Sequence, residues 1–128
     1  LNGYDIEAPE PARGLALSGA DLLVVLGSRS PRSAAALGIL LPARALENGV
    51  ALAYAGCTAS AAGAAACGRI LSADGEDLPA RHAPGPGPRV ALLPPPEARP
   101  SPRLRNRRPR LYQCLAHIDV AARPEATS

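Results

Sequence analysis

Reactive chemistry in this sequence rests on few side chains. They are Cys57, Cys67 and Cys114, His82 and His117, and eleven carboxylates; the fourteen basic residues are all arginine, with no lysine. A thiol attacks as its thiolate and needs a basic or cationic neighbour to lower its pKa. The cysteines are odd in number and form no CxxC spacing, so they read as reduced, partly buried thiols. Cys57 is the best placed of the three, because it follows an apolar run that reads as a strand, and α/β sites form at strand ends. His82 and His117 stand isolated in Pro-rich and tail sequence, so no metal site is expected. Arginines crowd the segment 99–110 at Arg99, Arg103, Arg105, Arg107, Arg108 and Arg110. Such a cluster neutralises phosphates. Only Tyr112 is at hand for stacking and no nucleic-acid motif surrounds it, so nucleic acid is not an expected partner.

Alternating helices and strands must position whatever chemistry there is. Pro9 and Pro11 open a helix over 9–18, with Ala12, Leu15, Ala16 and Gly19 on one face and Gly19 as its stop. Residues 21–26 are a continuous apolar run, which predicts a strand buried on both sides. After a Ser/Arg loop over 27–33, a helical pattern runs over 33–48. Pro42 should kink or restart it, and Asn48-Gly49 should end it. Residues 50–55 read as the next strand, and 57–67 as a small-residue loop. A hairpin is expected over 69–73 and 77–80 around Asp74-Gly75. The run APGPGP over 83–88 reads as a linker, residues 89–93 as one last strand, and everything from Pro94 as irregular chain. The alternation gives an α/β layered fold.

Bulk composition bounds the rest. A chain of 128 residues makes one small domain. Hydrophobic residues make up 47% of it, yet aromatics only 2%, with no Phe, Trp or Met. The apolar share is therefore largely alanine, which buries little area, and the core is expected to be thin. No basic leader precedes an apolar stretch, and no run approaches the roughly 18 residues of a membrane span. A cytoplasmic protein with no membrane partner is the expectation. With no Met and a motif at its very start, the sequence reads as a fragment or truncated reading frame. The net charge of +3 sits in a composition rich in Ala, Pro, Gly and Arg, as GC-rich codons produce, and this weakens any reading of the arginines as a binding surface.

That opening motif is the most specific feature. Residues 1–10 read LNGYDIEAPE, and Tyr4, Asp5, Pro9 and Glu10 match in type and spacing the nucleophile segment of the carbon–nitrogen hydrolases (the nitrilase superfamily). There the pattern runs Cys-Tyr-Asp, a hydrophobic residue, a variable one, an aromatic, then Pro-Glu. Gly3 stands at the cysteine position, and Ala8 where Phe is usual. Three further segments agree in order: GADLLVV over 19–25, PARALEN over 42–48 followed by VALAYA over 50–55, and GRILSADGE over 68–76. More loosely, NRRPRLY over 106–112 is similar to the family's closing Arg-Arg-Pro-x-Leu-Tyr. The resemblance covers the C-terminal half of a member, most like the amidase-type enzymes. It implies a partial domain over 1–95 and a Pro/Arg-rich tail over 96–128. The fold implied is half of an α-β-β-α sandwich, which dimerisation extends to four layers.

The resemblance also implies a mechanism, and what this chain lacks of it. The family hydrolyses non-peptide C–N bonds of amides, nitriles or carbamoyl groups with no cofactor. A Cys nucleophile is activated by a Glu base, a Lys stabilises the oxyanion, and a second Glu assists. In the family the Glu, Lys and second Glu precede the nucleophile segment, and Gly3 supplies no nucleophile. The sequence is therefore expected to be catalytically inactive as it stands. The backbone N–H of Tyr4 falls at the family's oxyanion donor position. Asp5, Pro9, Glu10, Arg44, Glu47 and Asn48 fall on structural motif positions, with Asp5 and Glu10 holding the turn and helix start and Glu47 pairing an arginine or capping backbone. The other reading is a non-catalytic partner subunit, which docks on an active homologue or binds a small amide or carboxylate. Half a sandwich also exposes its sheet, so homo- or hetero-oligomers through that face are expected.

Overall fold

The computed structural model describes residues 1–27, 33–56, 68–79, 89–95 and 101–114, without the side chains of 33–35. Helix α1 (Pro9–Leu17) begins with proline at its first turn and buries Ala12 and Ala16, one turn apart. It stops where Gly19 takes φ +93°, letting the Gly19 and Ala20 amides donate back to the Ala16 and Leu15 carbonyls. Strand β1 (Leu22–Gly27) follows. Helix α2 (Ser33–Asn48) then buries Leu37, Leu41, Ala45 and Asn48 in one stripe. Pro42 lies inside it without dividing it. Gly49, at φ +62°, ends α2 as Gly19 ends α1.

Strand β2 (Ala51–Gly56) runs parallel to β1 from Leu22↔Ala51 to Gly27↔Gly56, and α2 is the crossover between them. Strand β3 (Gly68–Leu71) adds antiparallel to β2, giving the order β1-β2-β3. A turn over Ser72–Glu76 carries the chain back along β3. It is closed by Ser72 N–H to the Glu76 carbonyl, and Leu78 N–H returns to the Ile70 carbonyl. The described residues thus form a three-stranded mixed sheet with α1 and α2 on one side, an α/β arrangement. Its core joins Leu23, Val25, Leu52, Tyr54 and Leu71 of the sheet to Ile6, Ala12, Leu37, Leu41 and Ala45.

Three expectations need amending. The strand after α1 is buried on one side only: Leu23 and Val25 are 1% and 0% exposed, while Leu22, Val24 and Leu26 are 37%, 50% and 62% exposed. Among the described residues no second layer covers that side, so a continuous apolar run lies on a half-covered sheet. Residues 89–93 make no strand; Val90 forms a single bridge and 91–95 are without regular structure. The prolines that follow at 94–96 remove the donors a longer ladder needs. Within the segment expected to be irregular, two one-turn helices form, α3 (Pro102–Arg105) and α4 (Pro109–Tyr112). Ser101 caps α3 by accepting from Leu104 N–H, and Leu104 joins the common core at 7% exposure. The loops expected over 57–67 and 83–88 lie outside the described residues.

Candidate active site

The opening motif folds as a strand end, a tight turn and a helix. Leu1 and Asn2 lie along the edge of β1 opposite β2. The Leu26 N–H donates to the Leu1 carbonyl at 2.9 Å, the terminal amine of Leu1 donates to the Val24 carbonyl at 3.0 Å, and Asn2 bridges Leu26 in parallel. The chain then turns at Gly3–Asp5 and enters α1 at Pro9. Gly3 therefore sits at the carboxyl end of the parallel strands, where open α/β sheets place their chemistry.

Short polar bonds fix the turn. Asn2 Oδ1 accepts from Tyr4 N–H at 2.9 Å and from Asp5 N–H at 3.0 Å, while Asp5 Oδ2 accepts from Asn2 N–H at 2.9 Å. Asn-Gly is a turn signal, and an Asn side chain bonding the backbone two and three residues on is its mechanism. Here the Tyr4 amide, which the family resemblance assigns to oxyanion binding, is already engaged by a side chain of its own turn. The Tyr4 ring is 80% exposed, and Ile6 is the anchor, at 0% exposure.

Helix α2 holds the turn from behind. Arg44, 7% exposed, donates from Nε to the Ile6 carbonyl at 3.2 Å and from Nη2 to the Glu7 carbonyl at 3.1 Å. Its Nη1 meets Glu47 Oε1 at 3.1 Å. Arg13 of α1 approaches Glu47 Oε2 at 4.0 Å and donates to the Glu47 carbonyl at 3.0 Å. Burial pushes the Arg13 pKa down, with Glu47 opposing and the Arg107 and Arg44 charges adding to the fall. Asn48, fully buried, donates to the Arg44 carbonyl at 2.8 Å, and its own carbonyl accepts from Ser101 Oγ at 3.4 Å. Asn48 Oδ1 is buried, and no donor among the described residues reaches it.

The structure thus brings Gly3, Tyr4, Asp5, Pro9 and Glu10 into one continuous turn and helix start, with Arg44 and Glu47 clamped behind it. Glu10 lies exposed in the first turn of α1. Cys57, Cys67, His82 and His117 lie outside the described residues, and Cys114, expected to be partly buried, is exposed. Among the described residues no three His, Cys, Asp or Glu side chains cluster as metal ligands, and no helix is long and apolar enough to cross a membrane. Of the arginine cluster, Arg103 meets Asp74 at 3.4 Å. A cavity of about 540 Å³ is lined by Leu22, Ala51, Asp74, Pro94, Pro102 and Arg103 among others. It lies at the amino ends of β1 and β2, away from the turn that carries Gly3. Sequence reasoning overlooked the roles of Asn2 and Ile6; the Asn-Gly pair was the available signal for the first.

No family model matches the sequence, and no curated protein matches it. Solved structures do. The chain is similar to the amidase from Nesterenkonia sp. AN1, in a Glu-to-Gln variant showing Michael addition of acrylamide at that enzyme's active site cysteine. Identity is 32% and the TM-score 0.67, over 90% of this chain and 43% of that one. A Cys-to-Ala variant of this nitrilase-superfamily amidase matches at 30% identity and TM-score 0.61, over 90% and 42%. The carbon–nitrogen hydrolase from Helicobacter pylori G27 shares the fold at TM-score 0.68 and 24% identity, over 90% and 47%. The chain spans less than half the length of each.

Proposed function

From a chain that carries part of the nitrilase-superfamily, amidase-like carbon–nitrogen hydrolase fold, we propose that these residues are its C-terminal portion and do not themselves catalyse hydrolysis. One observation supports the reading: Gly3 lies in the turn between the Asn2–Leu26 bridge and α1, and the motif resemblance puts the family's thiol at that residue. A hydrogen on Cα forms no acyl intermediate, and the sequence has no lysine to steady an oxyanion. Amides, nitriles or carbamoyl compounds are substrates of the intact family. A cytoplasmic setting fits three cysteines in no disulfide spacing.

The test is ammonia release from a panel of simple amides and nitriles. No turnover above buffer is expected from the chain, nor from Gly3→Cys alone, because nucleophile and base act as a unit, and loss of either costs on the order of 10⁶ in kcat in a triad enzyme. Turnover that survives replacement of Cys57, Cys67 and Cys114 would sink the reading. The exposed side of β1 favours a second reading, a non-catalytic subunit that docks its apolar strand face on an active homologue. Co-elution with an intact amidase relative supports it, and separate elution at micromolar concentration counts against it.

A further inference from the structure

We infer that the carboxamide of Asn2 fills the oxygen site of the turn, and that this side chain, in addition to Gly3, keeps the turn from polarising a bound carbonyl. Two consecutive backbone N–H groups, of Tyr4 and Asp5, converge on one oxygen at 2.9 and 3.0 Å. Such a concavity of adjacent amides is a site for a carbonyl or carboxylate oxygen. It lies directly after Gly3, where donors would meet charge developing on a carbonyl attacked from that position.

Asn2 Oδ1 takes both donors with its two lone pairs, so neither N–H is left for a ligand. The occupant is a primary carboxamide, the same functional group as a simple amide. It is tethered within three residues of the donors it meets, so its effective concentration is at least on the order of millimolar. A free amide that binds weakly cannot displace it. Asp5 pins Asn2 from the other side through Oδ2 and places a carboxylate beside the site, which disfavours a further negative charge there. Resting on the reading of Gly3 as the nucleophile position, this adds a second and separable block: restoring a thiol alone leaves the oxygen site filled.

The experiment uses the full chain with Cys57, Cys67 and Cys114 replaced by serine, and compares Gly3→Cys with Asn2→Ala/Gly3→Cys. Two reagents report on the introduced thiol. Iodoacetamide is displaced at a saturated carbon and needs no oxyanion donor. With 4-nitrophenyl acetate the sulfur bonds the acetyl carbon, the ester C–O bond breaks, and its electron pair leaves with 4-nitrophenolate. That step passes through an oxyanion. The ratio of acylation to alkylation rates is expected to rise about tenfold or more when Asn2 is removed, within the effect of a single oxyanion donor. An unchanged ratio overturns the inference. Hydrogen exchange on the unmodified chain tests it independently of how the variants fold. Tyr4 and Asp5 amides should be protected, and exchange at free-peptide rates would overturn it. Amide hydrolysis by the unmodified chain would instead refute the reading of Gly3 and leave the ratio untouched.

Discussion

Arg44 joins the opening turn to helix α2, two parts that local sequence leaves separate. Its guanidinium holds two carbonyls of the turn and one carboxylate of its own helix, all behind the buried Ile6. Replacing it by alanine strands those acceptors in a site with little access to water. The expected cost is about 2–4 kcal/mol, as for loss of a buried charged donor. Arg69→Ala should cost about 1 kcal/mol or less, since its partner Asp77 is well exposed. Denaturant unfolding of the two variants side by side is the check, and equal losses would refute the clamp. The identity of these residues was legible beforehand, because Arg44, Glu47 and Asn48 stand in a recognisable helix-end pattern. Their carbonyl partners were not, for main-chain acceptors at Ile6 and Glu7 leave no mark in residue types.

At the level of elements, the small hairpin after β3 depends on charge. Arg69 donates from Nε and Nη2 to the two oxygens of Asp77, at 2.9 and 2.7 Å. The hydrogen bond with Arg69 lowers the Asp77 pKa against a smaller opposing effect of burial, and the same bond raises that of Arg69. Because the folded-state carboxyl titrates below its unfolded value of about 3.9, the pair contributes fully above that pH. Its contribution is lost as pH falls through the lower, folded value. Asp77→Asn should therefore cost about 0.2–1 kcal/mol at neutral pH, a difference that closes on acidification. Paired unfolding curves at pH 7 and in the acid range decide it; a gap that widens in acid would refute the assignment.

Most elements were readable from pattern. Proline starts, glycine stops and apolar runs located α1, β1, α2 and β2, because each signal is local. The strand expected over 89–93 failed since a short β-branched and apolar run gives no information about whether a partner strand lies beside it. Another silent feature is Tyr54. Its ring lies against Gly27 and Gly56, and a Cβ on either would collide with the phenol. Tyr54 stands two residues before Gly56 on β2 and one strand across from Gly27, a proximity that residue types alone do not mark.

At the scale of the whole molecule, the described residues form a sheet covered on one side. Leu22, Val24 and Leu26 form an apolar row with no cover among the described residues, and such a face invites association. The chain is expected to elute larger with rising concentration. Polar replacement of the three residues together should reduce that shift while changing unfolding stability little, since exposed positions contribute little burial. Size-exclusion chromatography with light scattering reads this directly. A concentration-independent monomer for the unmodified chain would refute it. The single-face exposure could not be read from the run of apolar residues in β1, because a strand covered on two sides and one awaiting a partner have the same composition.

Leu104 carries a consequence for how the protein is made. It is buried against a core that otherwise closes with β3, and Ser101 beside it meets the last turn of α2. Synthesis proceeds from the amino terminus at about 5–20 residues per second. After β2 has left the ribosome, roughly 2–10 s pass at that rate before residue 104 follows. Through that interval the nascent sheet is bare on its unlayered side and incompletely packed on the other. The time the chain is most open to chaperones or to misassociation is set during translation, by how far along the sequence Leu104, the last core side chain among the described residues, lies.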